Sequence, residues 1–275
     1  MTTESTVLSS TKNGVLYLTL NREKKYNAID SSVITGVREA VAKANASNDV
    51  GAIVITGNGK AFCAGADISQ YHEADPDLLK EFTASANELC RDIEQSRIPV
   101  IAAVNGVALG GGFEIALSCD ILLSSTTASF GLPEISLGLI PGWGGTQRIT
   151  RLLGRHRASE MIMLASRLSA EEARSLGIIS STHEPDELLD AARNLGERLA
   201  SGPREASAAA KQAIAEVARL PRSGFETEQE LLDSLFRTAD GIEGVRAFVD
   251  KRNPEFGIGR QPDSQTAGIG KRASC

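Results

Sequence analysis

The stretch from residue 99 to residue 148 constrains the fold more than any other part of the chain. It contains Val100–Val104, a short apolar run typical of a strand that is buried on both faces. Three consecutive glycines at 110–112 then lead into an apolar segment that is predicted to be helical. Glycines at a helix N-terminus let a ligand oxygen approach the unpaired N–H groups there. We therefore predict an oxyanion-binding turn. A flexible linker would not lie between a buried strand and an apolar helix.

Two glutamates in apolar surroundings follow this turn. Glu114 falls in the first helical turn beside Phe113 and Ile115, and Glu134 follows Pro133 ahead of another apolar segment. Either could be an ordinary acid at a helix start, where it interacts favourably with the helix dipole. An apolar pocket would instead favour the neutral form of Glu134. The functional interpretation is a pair of carboxylates that move protons beside an oxyanion site.

Two earlier segments are candidates for ligand contacts. Residues 60–68 (KAFCAGADI) directly follow a predicted strand, and Gly65 would let the backbone approach a ligand closely. An ordinary turn would also fit, but ligand sites of α/β proteins lie at the carboxyl ends of strands. The polar loop at 21–27 is either a solvated turn or a contact for an anionic ligand through Lys24 or Lys25.

The remaining pattern indicates an α/β protein with a helical C-terminal region. We expect Ser31 or Ser32 to cap the first helix, residues 71–76 to form a polar, mobile loop, and the polar tail beyond residue 257 to be disordered. The predicted strands are 15–20, 52–56, 100–104, 121–124, 128–130 and 178–181. The predicted helices are 31–46, 78–96, 113–119, a segment that ends at Gly154 and continues over 158–165, a segment with a capping box at 169–172 that stops at Gly177, 188–200, 204–217, 225–237 and 242–249.

Charge and composition exclude several classes of function. The net charge is −6, from 29 basic and 35 acidic residues, and the chain lacks the basic stripe that a nucleic-acid surface needs. Its four cysteines have no CxxC spacing, which predicts a reduced, cytoplasmic setting, and its three histidines show no metal-ligand spacing. No apolar run reaches about 18 residues, so we expect no membrane partner. Rossmann and P-loop nucleotide motifs are absent from the sequence.

Together these motifs resemble the crotonase superfamily, specifically its enoyl-CoA hydratases. Four segments carry the resemblance: residues 21–29 (NREKKYNAI), 60–68, 99–148 and 248–252 (FVDKR). The resemblance implies a spiral of β-β-α units. It also implies a core with the CoA and catalytic sites over residues 1–195, a helical trimerisation region over 196–257 and a disordered tail over 258–275. The expected assembly is a homotrimer or a dimer of trimers.

The resemblance also implies roles for individual residues. Ala66 and Gly111 would supply the two N–H groups of an oxyanion hole, Glu114 would deprotonate the attacking water, and Glu134 would protonate Cα. The substrate would be an acyl-CoA thioester, so that CoA is part of the substrate and no separate cofactor or metal is expected. Phe248 and Lys251 would reach the CoA of a neighbouring subunit. The full set of implied substrate and CoA contacts is Lys24, Lys25, Ala28, Ala64, Asp67, Ile68, Gly110, Pro133, Gly142, Trp143, Phe248 and Lys251.

Two departures and several rival functions accompany this resemblance. Glu23 stands where the family commonly has proline, and Trp143 is large for its position and could reshape the acyl pocket. The rivals are an isomerase of the same fold that uses one carboxylate, an acyl-CoA hydrolase, and a non-catalytic binding homologue. Because water addition needs a base and an acid, the presence of both glutamates favours hydration. The expected reaction is reversible hydration of a 2-trans-enoyl-CoA to a 3-hydroxyacyl-CoA, within fatty-acid β-oxidation.

Overall fold

The computed structural model describes residues 5–71, 75–217 and 222–255. Within them lie ten strands: β1 (Val7–Lys12), β2 (Val15–Leu20), β3 (Ala52–Gly57), β4 (Ala61–Cys63), β5 (Val100–Val104), β6 (Val107–Leu109), β7 (Ile121–Ser125), β8 (Ser129–Gly131), β9 (Arg167–Ser169) and β10 (Ser181–His183). The same residues contain nine α-helices: α1 (Ser31–Ala46), α2 (Pro76–Gln95), α3 (Gly111–Ser118), α4 (Gly145–Met163), α5 (Ala170–Ser175), α6 (Leu188–Ala200), α7 (Arg204–Val217), α8 (Arg222–Leu235) and α9 (Ala239–Val249). Three 3₁₀ helices cover Glu23–Lys25, Ile68–Gln70 and Glu134–Leu137.

The described strands form two sheets, and from β3 to β8 successive strands belong to the two sheets in turn. The larger sheet has the order β1-β2-β3-β5-β7-β10, and the smaller has the order β4-β6-β8-β9. Pairing is parallel from β2 to β10 and from β4 to β8, whereas β1 and β9 are antiparallel edge strands. One strand of each sheet is followed by a helix in three successive units: β3-β4-α2, β5-β6-α3 and β7-β8-α4. This is the predicted spiral of β-β-α units.

Helices cover both faces of the larger sheet. Every residue of β3 and β5 is buried, and their side chains alternate between two apolar clusters. Ile53, Ile55 and Val100 pack with α1 and α2, whereas Val54 and Ile101 pack with α6. Burial of one such side chain contributes about 1.5–3 kcal/mol, so the sheet is a rigid base for the loops at its carboxyl end.

A third apolar cluster joins the C-terminal helices to the site region. It contains Leu79 of α2, Leu139, Leu232 of α8, Phe236 directly after α8, and Val245 of α9. Helix α9 packs directly against the backbone of Leu137 at Gly244. A Cβ atom at Gly244 would lie only 2.3 Å from the carbonyl oxygen of Leu137. The 3₁₀ helix that begins at Glu134 is therefore supported from behind by α9.

Most predicted elements are observed, with three differences. Asp30, rather than Ser31 or Ser32, caps α1, because its carboxylate accepts hydrogen bonds from the N–H groups of Ser32 and Val33. The strand predicted at 178–181 is observed as β10, which begins at Ser181. Strands β1, β4, β6 and β9 were not predicted. The helix interruption expected at Gly154 is confirmed as a non-helical residue inside α4.

Some predictions fall outside the described residues or are not tested by them. Residues 72–74 of the predicted loop and the tail at 258–275 are not described. The division of the chain at residue 195 stays a prediction. No helix in the described ranges is long and apolar enough to cross a membrane.

Candidate active site

Two glycine turns bring the predicted oxyanion donors together. Gly65 and Gly110 have φ values of +108° and +50°, a backbone conformation that side chains with a Cβ atom rarely adopt. A Cβ atom added at Gly65 would lie 3.7 Å from the amide nitrogen of Gly111, so the two turns are in contact. Ile29 pairs with this turn by donating its N–H to Gly65 O and accepting the N–H of Asp67, both at 2.8 Å.

The amides of Ala66 and Gly111 remain free at this junction. Gly111 is the first residue of α3, where an amide has no partner within the helix. Neither amide donates to a protein acceptor within the part of the chain that the structure describes. Two free N–H groups, of which that of Gly111 lies at a helix N-terminus, form an arrangement that can bind a developing oxyanion.

Glu114 lies in the first turn of α3 and is only 1% exposed. Its Oε1 accepts hydrogen bonds from the N–H groups of Trp143 and Gly145, at 2.8 and 2.7 Å. Burial raises the pKa of Glu114 well above its ordinary value, and the charges of Glu134 and Glu228 raise it further. The two amide donors act in the opposite direction because they stabilise the ionised form.

Glu134 brings a second carboxyl group to the same place. Its Oε1 lies beside the glycine turn, since a Cβ atom at Gly110 would be 2.8 Å from it. Its Oε2 is buried and has no hydrogen-bond partner among the described residues. Burial raises the pKa of Glu134 to about 8, and the charge of Glu228 adds to this effect. Burial therefore favours the protonated form of Glu134, which is the direction that its apolar sequence context predicted.

The loop of residues 141–146 packs its tryptophan against the oxyanion turn. A Cβ atom at Gly111 would lie 2.1 Å from a ring carbon of Trp143, whose side chain is 3% exposed. The Trp143 ring meets Phe82 edge-on at 6.0 Å between centroids. Tyr71 meets Phe82 at 6.0 Å and Phe236 at 5.5 Å, also edge-on. Four aromatic rings therefore form a wall next to the glutamates.

The Tyr71 hydroxyl belongs to this site. Burial raises the pKa of Tyr71, and the charges of Glu114 and Glu134 raise it further. Both carboxyl groups therefore act electrostatically on the phenol. The arrangement combines free amide donors, two carboxyl groups and an aromatic wall, which can polarise a carbonyl and exchange protons with a neighbouring carbon or water.

Comparison with known proteins identifies the family. The sequence profile described as "Enoyl-CoA hydratase/isomerase" matches residues 10–259. The chain belongs to the enoyl-CoA hydratase/isomerase family. It is 41% identical over 252 residues to a protein of Dictyostelium discoideum named probable mitochondrial enoyl-CoA hydratase, covering 89% of this chain and 88% of that one. It is 40% identical over 255 residues to a probable enoyl-CoA hydratase of Mycobacterium tuberculosis, covering 92% and 98%.

The fold comparison agrees with the sequence comparison. The crystal structure of an enoyl-CoA hydratase from Mycobacterium avium subsp. paratuberculosis is 32% identical, covers 92% of this chain and 99% of that chain, and has a TM-score of 0.83. The predicted crotonase resemblance and the α/β crotonase-like fold are thereby confirmed.

In this member of the enoyl-CoA hydratase/isomerase family, the basic loop is tied to the oxyanion loop. Arg22 donates to Asp67 at 2.8 Å and lies 3.1 Å from Asp30, and the Ser69 hydroxyl also donates to Asp67. Burial alone would raise the pKa of Asp67, but the hydrogen bonds from Ser69 and Arg22 outweigh it, and the pKa is lowered. Asp67, predicted as a substrate contact, is thus already part of an ion-pair network that joins the two loops.

The other predicted contacts surround the site at different depths. Ala28 and Trp143 are buried, and Ala64 donates its N–H to the carbonyl of Tyr26. Lys24, Lys25 and Ala64 are exposed, as are Phe248 and Lys251 at the end of α9. Ile68 packs against the third apolar cluster, Pro133 precedes Glu134, and a Cβ atom at Gly142 would meet Leu232. The ligand roles of all these residues stay predictions.

Three residues of the site region were missed by the sequence analysis: Tyr71, Arg148 and Glu228. Arg148 and Glu228 are 5% and 2% exposed and both contact the loop at 141–146. Arg148 follows the Gly-rich loop in the sequence, which could have marked it. Glu228 sits in a segment with an ordinary amphipathic pattern, which gives no local signal. No group of three or more residues that could hold a metal occurs among the residues described.

Proposed function

We propose that this chain is an enoyl-CoA hydratase that adds water reversibly to a 2-trans-enoyl-CoA thioester and forms a 3-hydroxyacyl-CoA. The observation that carries the proposal is the buried Glu114 and the half-buried Glu134, whose Oε2 is shielded from solvent, next to two free amide donors. The names of the relatives and the family membership support the same reaction. One carboxyl group would suffice for a double-bond shift, whereas water addition uses a base and an acid.

In the proposed reaction, the thioester oxygen binds between the N–H groups of Ala66 and Gly111. Glu114, as the carboxylate, removes a proton from water while the water oxygen bonds to Cβ. The electrons of the double bond move to the thioester, and its oxygen becomes an enolate oxyanion that the two amides stabilise. Glu134 then donates its proton to Cα, which restores the thioester.

Hydrogen bonding supports this division of roles between the glutamates. Two amide donors on Glu114 Oε1 stabilise negative charge, and Glu134 has an oxygen without a donor among the described residues. The charge of Glu134 raises the pKa of Glu114, so the pair holds one proton more readily than none. The proton is therefore assigned to Glu134 at neutral pH, which is the state that a general acid needs.

The aromatic wall supports a short acyl group as the preferred substrate. Trp143, Phe82, Tyr71 and Phe236 pack edge-on against one another, and the Trp143 ring lies close against Gly111. Rings that are fixed in this way leave little depth beyond Cβ for a long chain. The exposed Lys24 and Lys25 are the proposed contacts for the CoA phosphates.

Assembly, pathway and location complete the proposal. Met163 and Leu164 at the end of α4 are 68% and 70% exposed, and Phe248 is 56% exposed, which suits burial by further copies in a trimer or a dimer of trimers.

Hydration of an enoyl-CoA is a step of fatty-acid β-oxidation, which is the proposed pathway. Free, buried Cys63, Cys90 and Cys119 suit a reducing compartment, and the cytoplasm is the proposed location.

The test is a panel of CoA esters with identification of each product. The panel contains 2-enoyl-CoA esters of increasing chain length, a 3-enoyl-CoA and a saturated acyl-CoA. We expect loss of the conjugated thioester absorbance for short 2-enoyl-CoA esters, with a 3-hydroxyacyl-CoA as the product. The Glu114→Gln variant should bind the same esters without hydrating them.

Each rival function predicts a different product from this panel. An isomerase would convert the 3-enoyl-CoA to the 2-enoyl-CoA without incorporating water. A hydrolase would release free CoA from the saturated ester. Binding of the esters with no product from any of them would refute the proposed function and favour a non-catalytic homologue.

A further inference from the structure

Glu228 of α8 is a buried carboxylate that the proposed reaction does not use. Its side chain accepts hydrogen bonds from the loop of residues 141–146. Oε1 accepts the N–H of Gly144 at 2.6 Å, and Oε2 accepts the N–H of Thr146 at 3.0 Å. The Thr146 hydroxyl also donates to Oε2. All of these donors belong to the loop that also contacts Glu114.

The loop divides its amides between two carboxylates in strict alternation. Trp143 and Gly145 donate to Glu114, whereas Gly144 and Thr146 donate to Glu228. Successive amides therefore point to opposite sides of the loop. If one side moves, the donors on the other side move with it, because they belong to the same short stretch of backbone.

Other contacts hold the first half of this loop. Arg148 donates to the carbonyl of Trp143 at 2.8 Å, and Asn87 donates to the carbonyl of Gly142 at 3.3 Å. Gly144 has a φ of +98°, and a Cβ atom there would lie 2.1 Å from Arg148 Nη1. Among the contacts described, Glu228 is the side chain that receives the amides of Gly144 and Thr146, on either side of the Gly145 amide.

We propose that Glu228 is a positioning residue for hydration, which holds the loop in the shape that presents the amides of Trp143 and Gly145 to Glu114. The inference rests on the proposed function, in which Glu114 is the base. A glutamate from the C-terminal helices would thus control the orientation of a catalytic group on α3.

The charge of Glu228 adds a second effect that a purely mechanical support would lack. Glu228 interacts electrostatically with three charged groups. The charge of Arg148 lowers the pKa of Glu228, and Glu228 in turn affects the pKa values of Glu114 and Glu134. Burial raises the pKa of Glu228 to about 7, against the hydrogen bonds of Thr146 and Gly144 and the charge of Arg148. Ionised Glu228 raises the pKa of both Glu114 and Glu134. Removal of this charge should lower both pKa values.

The experiment compares two substitutions at one position. Glutamine keeps the shape of Glu228, but its NH₂ group cannot accept, so one loop amide loses its partner. For Glu228→Gln we expect kcat to fall about tenfold or more, with a smaller change in KM. Both limbs of the pH–kcat profile should move to lower pH by roughly one unit. Glu228→Asp keeps the charge but is shorter, so kcat should fall while the limbs stay near their wild-type positions.

The control is Glu230→Gln, the same change at an exposed position of the same helix. It should leave kcat and both limbs unchanged. The proposal is overturned if Glu228→Gln keeps the wild-type kcat. It is also overturned if the Gln and Asp variants lose activity equally with an unshifted profile, since that would be loss of structure alone.

Trp143 gives a readout that does not depend on activity, because it is the single tryptophan of the chain. In Glu228→Gln, the loosened loop should expose the ring and move its emission to longer wavelength, and Glu230→Gln should not. If the wild type hydrates no enoyl-CoA, the proposed function fails, and the emission shift still tests the loop contact. An unshifted emission in a folded Glu228→Gln would refute that contact.

A second variant covers a failure of Glu228→Gln to fold. Thr146→Val removes the hydroxyl donor and keeps the Thr146 amide. It should lower kcat by about threefold and move both limbs slightly to lower pH, because a carboxyl with fewer donors is ionised less. A wild-type kcat and emission in Thr146→Val would overturn the proposal.

Discussion

Replacement of Glu134 by glutamine should abolish hydration and stabilise the folded protein at alkaline pH. In the proposed reaction Glu134 gives its proton to Cα, and glutamine has no proton to give. Loss of a general acid costs about 100-fold or more in kcat. Binding of the CoA ester should persist, because glutamine has the same shape and is neutral like the protonated glutamate.

The stability effect follows from the pKa of the buried carboxyl group. Burial raises the pKa of Glu134 to about 8 in the folded protein, from an ordinary value of 4.5. As the pH rises through 4.5, the unfolded chain loses the proton first, so wild-type stability falls until the folded carboxyl ionises near 8. At about 1.4 kcal/mol per pH unit, the full loss is about 5 kcal/mol. Glutamine does not titrate and avoids this loss.

The assay is urea unfolding of wild type and Glu134→Gln at one protein concentration, from about pH 5 to about pH 9. The free energy of unfolding of the variant, relative to wild type, should increase by several kcal/mol between pH 5 and pH 8 and then level off. Glu171→Gln, at an exposed glutamate of α5, is the matched control for the substitution itself. A pH-independent difference at Glu134 would refute the argument, since it would mean that the folded carboxyl is not held in its protonated form.

Three further predictions concern the oxyanion turn, the aromatic wall and the loop network. Gly111→Ala places a methyl group 2.1 Å from the Trp143 ring, so it should destabilise the fold by about 1–3 kcal/mol and remove activity, as thermal unfolding and kcat would show. Trp143→Ala should raise kcat/KM for longer 2-enoyl-CoA esters relative to the shortest, because it removes part of the wall. Asp67→Asn weakens the 2.8 Å ion pair with Arg22, so it should raise KM for the CoA ester more than it lowers kcat.

Each of these predictions has an outcome that would contradict it. Wild-type turnover by Gly111→Ala would exclude the proposed oxyanion donor. If Trp143→Ala keeps the wild-type order of chain-length preference, the aromatic wall does not select the length of the acyl chain. An unchanged KM in Asp67→Asn would show that the tie between the two loops is not needed for CoA binding.

The fold was predictable where burial leaves a mark on the sequence. Strand β5 coincides with its apolar run because it is buried on both faces. Strand β1 was missed because most of its residues are exposed, and only pairing with β2 defines it. Strands β4, β6 and β9 have three residues each, which is too short for any periodicity. These strands are defined by their pairing with one another and with β8 in the smaller sheet.

The site was predictable where its residues are neighbours in the sequence. The glycine turn and Glu114 are adjacent, so their chemistry is visible without a structure. Glu228 contacts Thr146 across 82 positions, and nothing in the α8 pattern distinguishes it from an exposed helical glutamate. Tyr71 was assigned to a polar loop because the rings that bury it, Phe82 and Phe236, come from other elements.

The loop at 141–146 gives two of the three neighbouring carboxyl groups backbone donors that it does not give to the third. Four of its amides donate to Glu114 or Glu228, and none of these four donates to Glu134. Amide donors stabilise a carboxylate, so these hydrogen bonds lower the pKa values of Glu114 and Glu228 against the effect of burial. The glycines make this geometry accessible, because a Cβ atom at Gly145 would lie 2.8 Å from Glu114 Oε1. The difference between the proposed base and the proposed acid therefore arises from the backbone of this loop, and any change that turns its amides should erase that difference before it unfolds the protein.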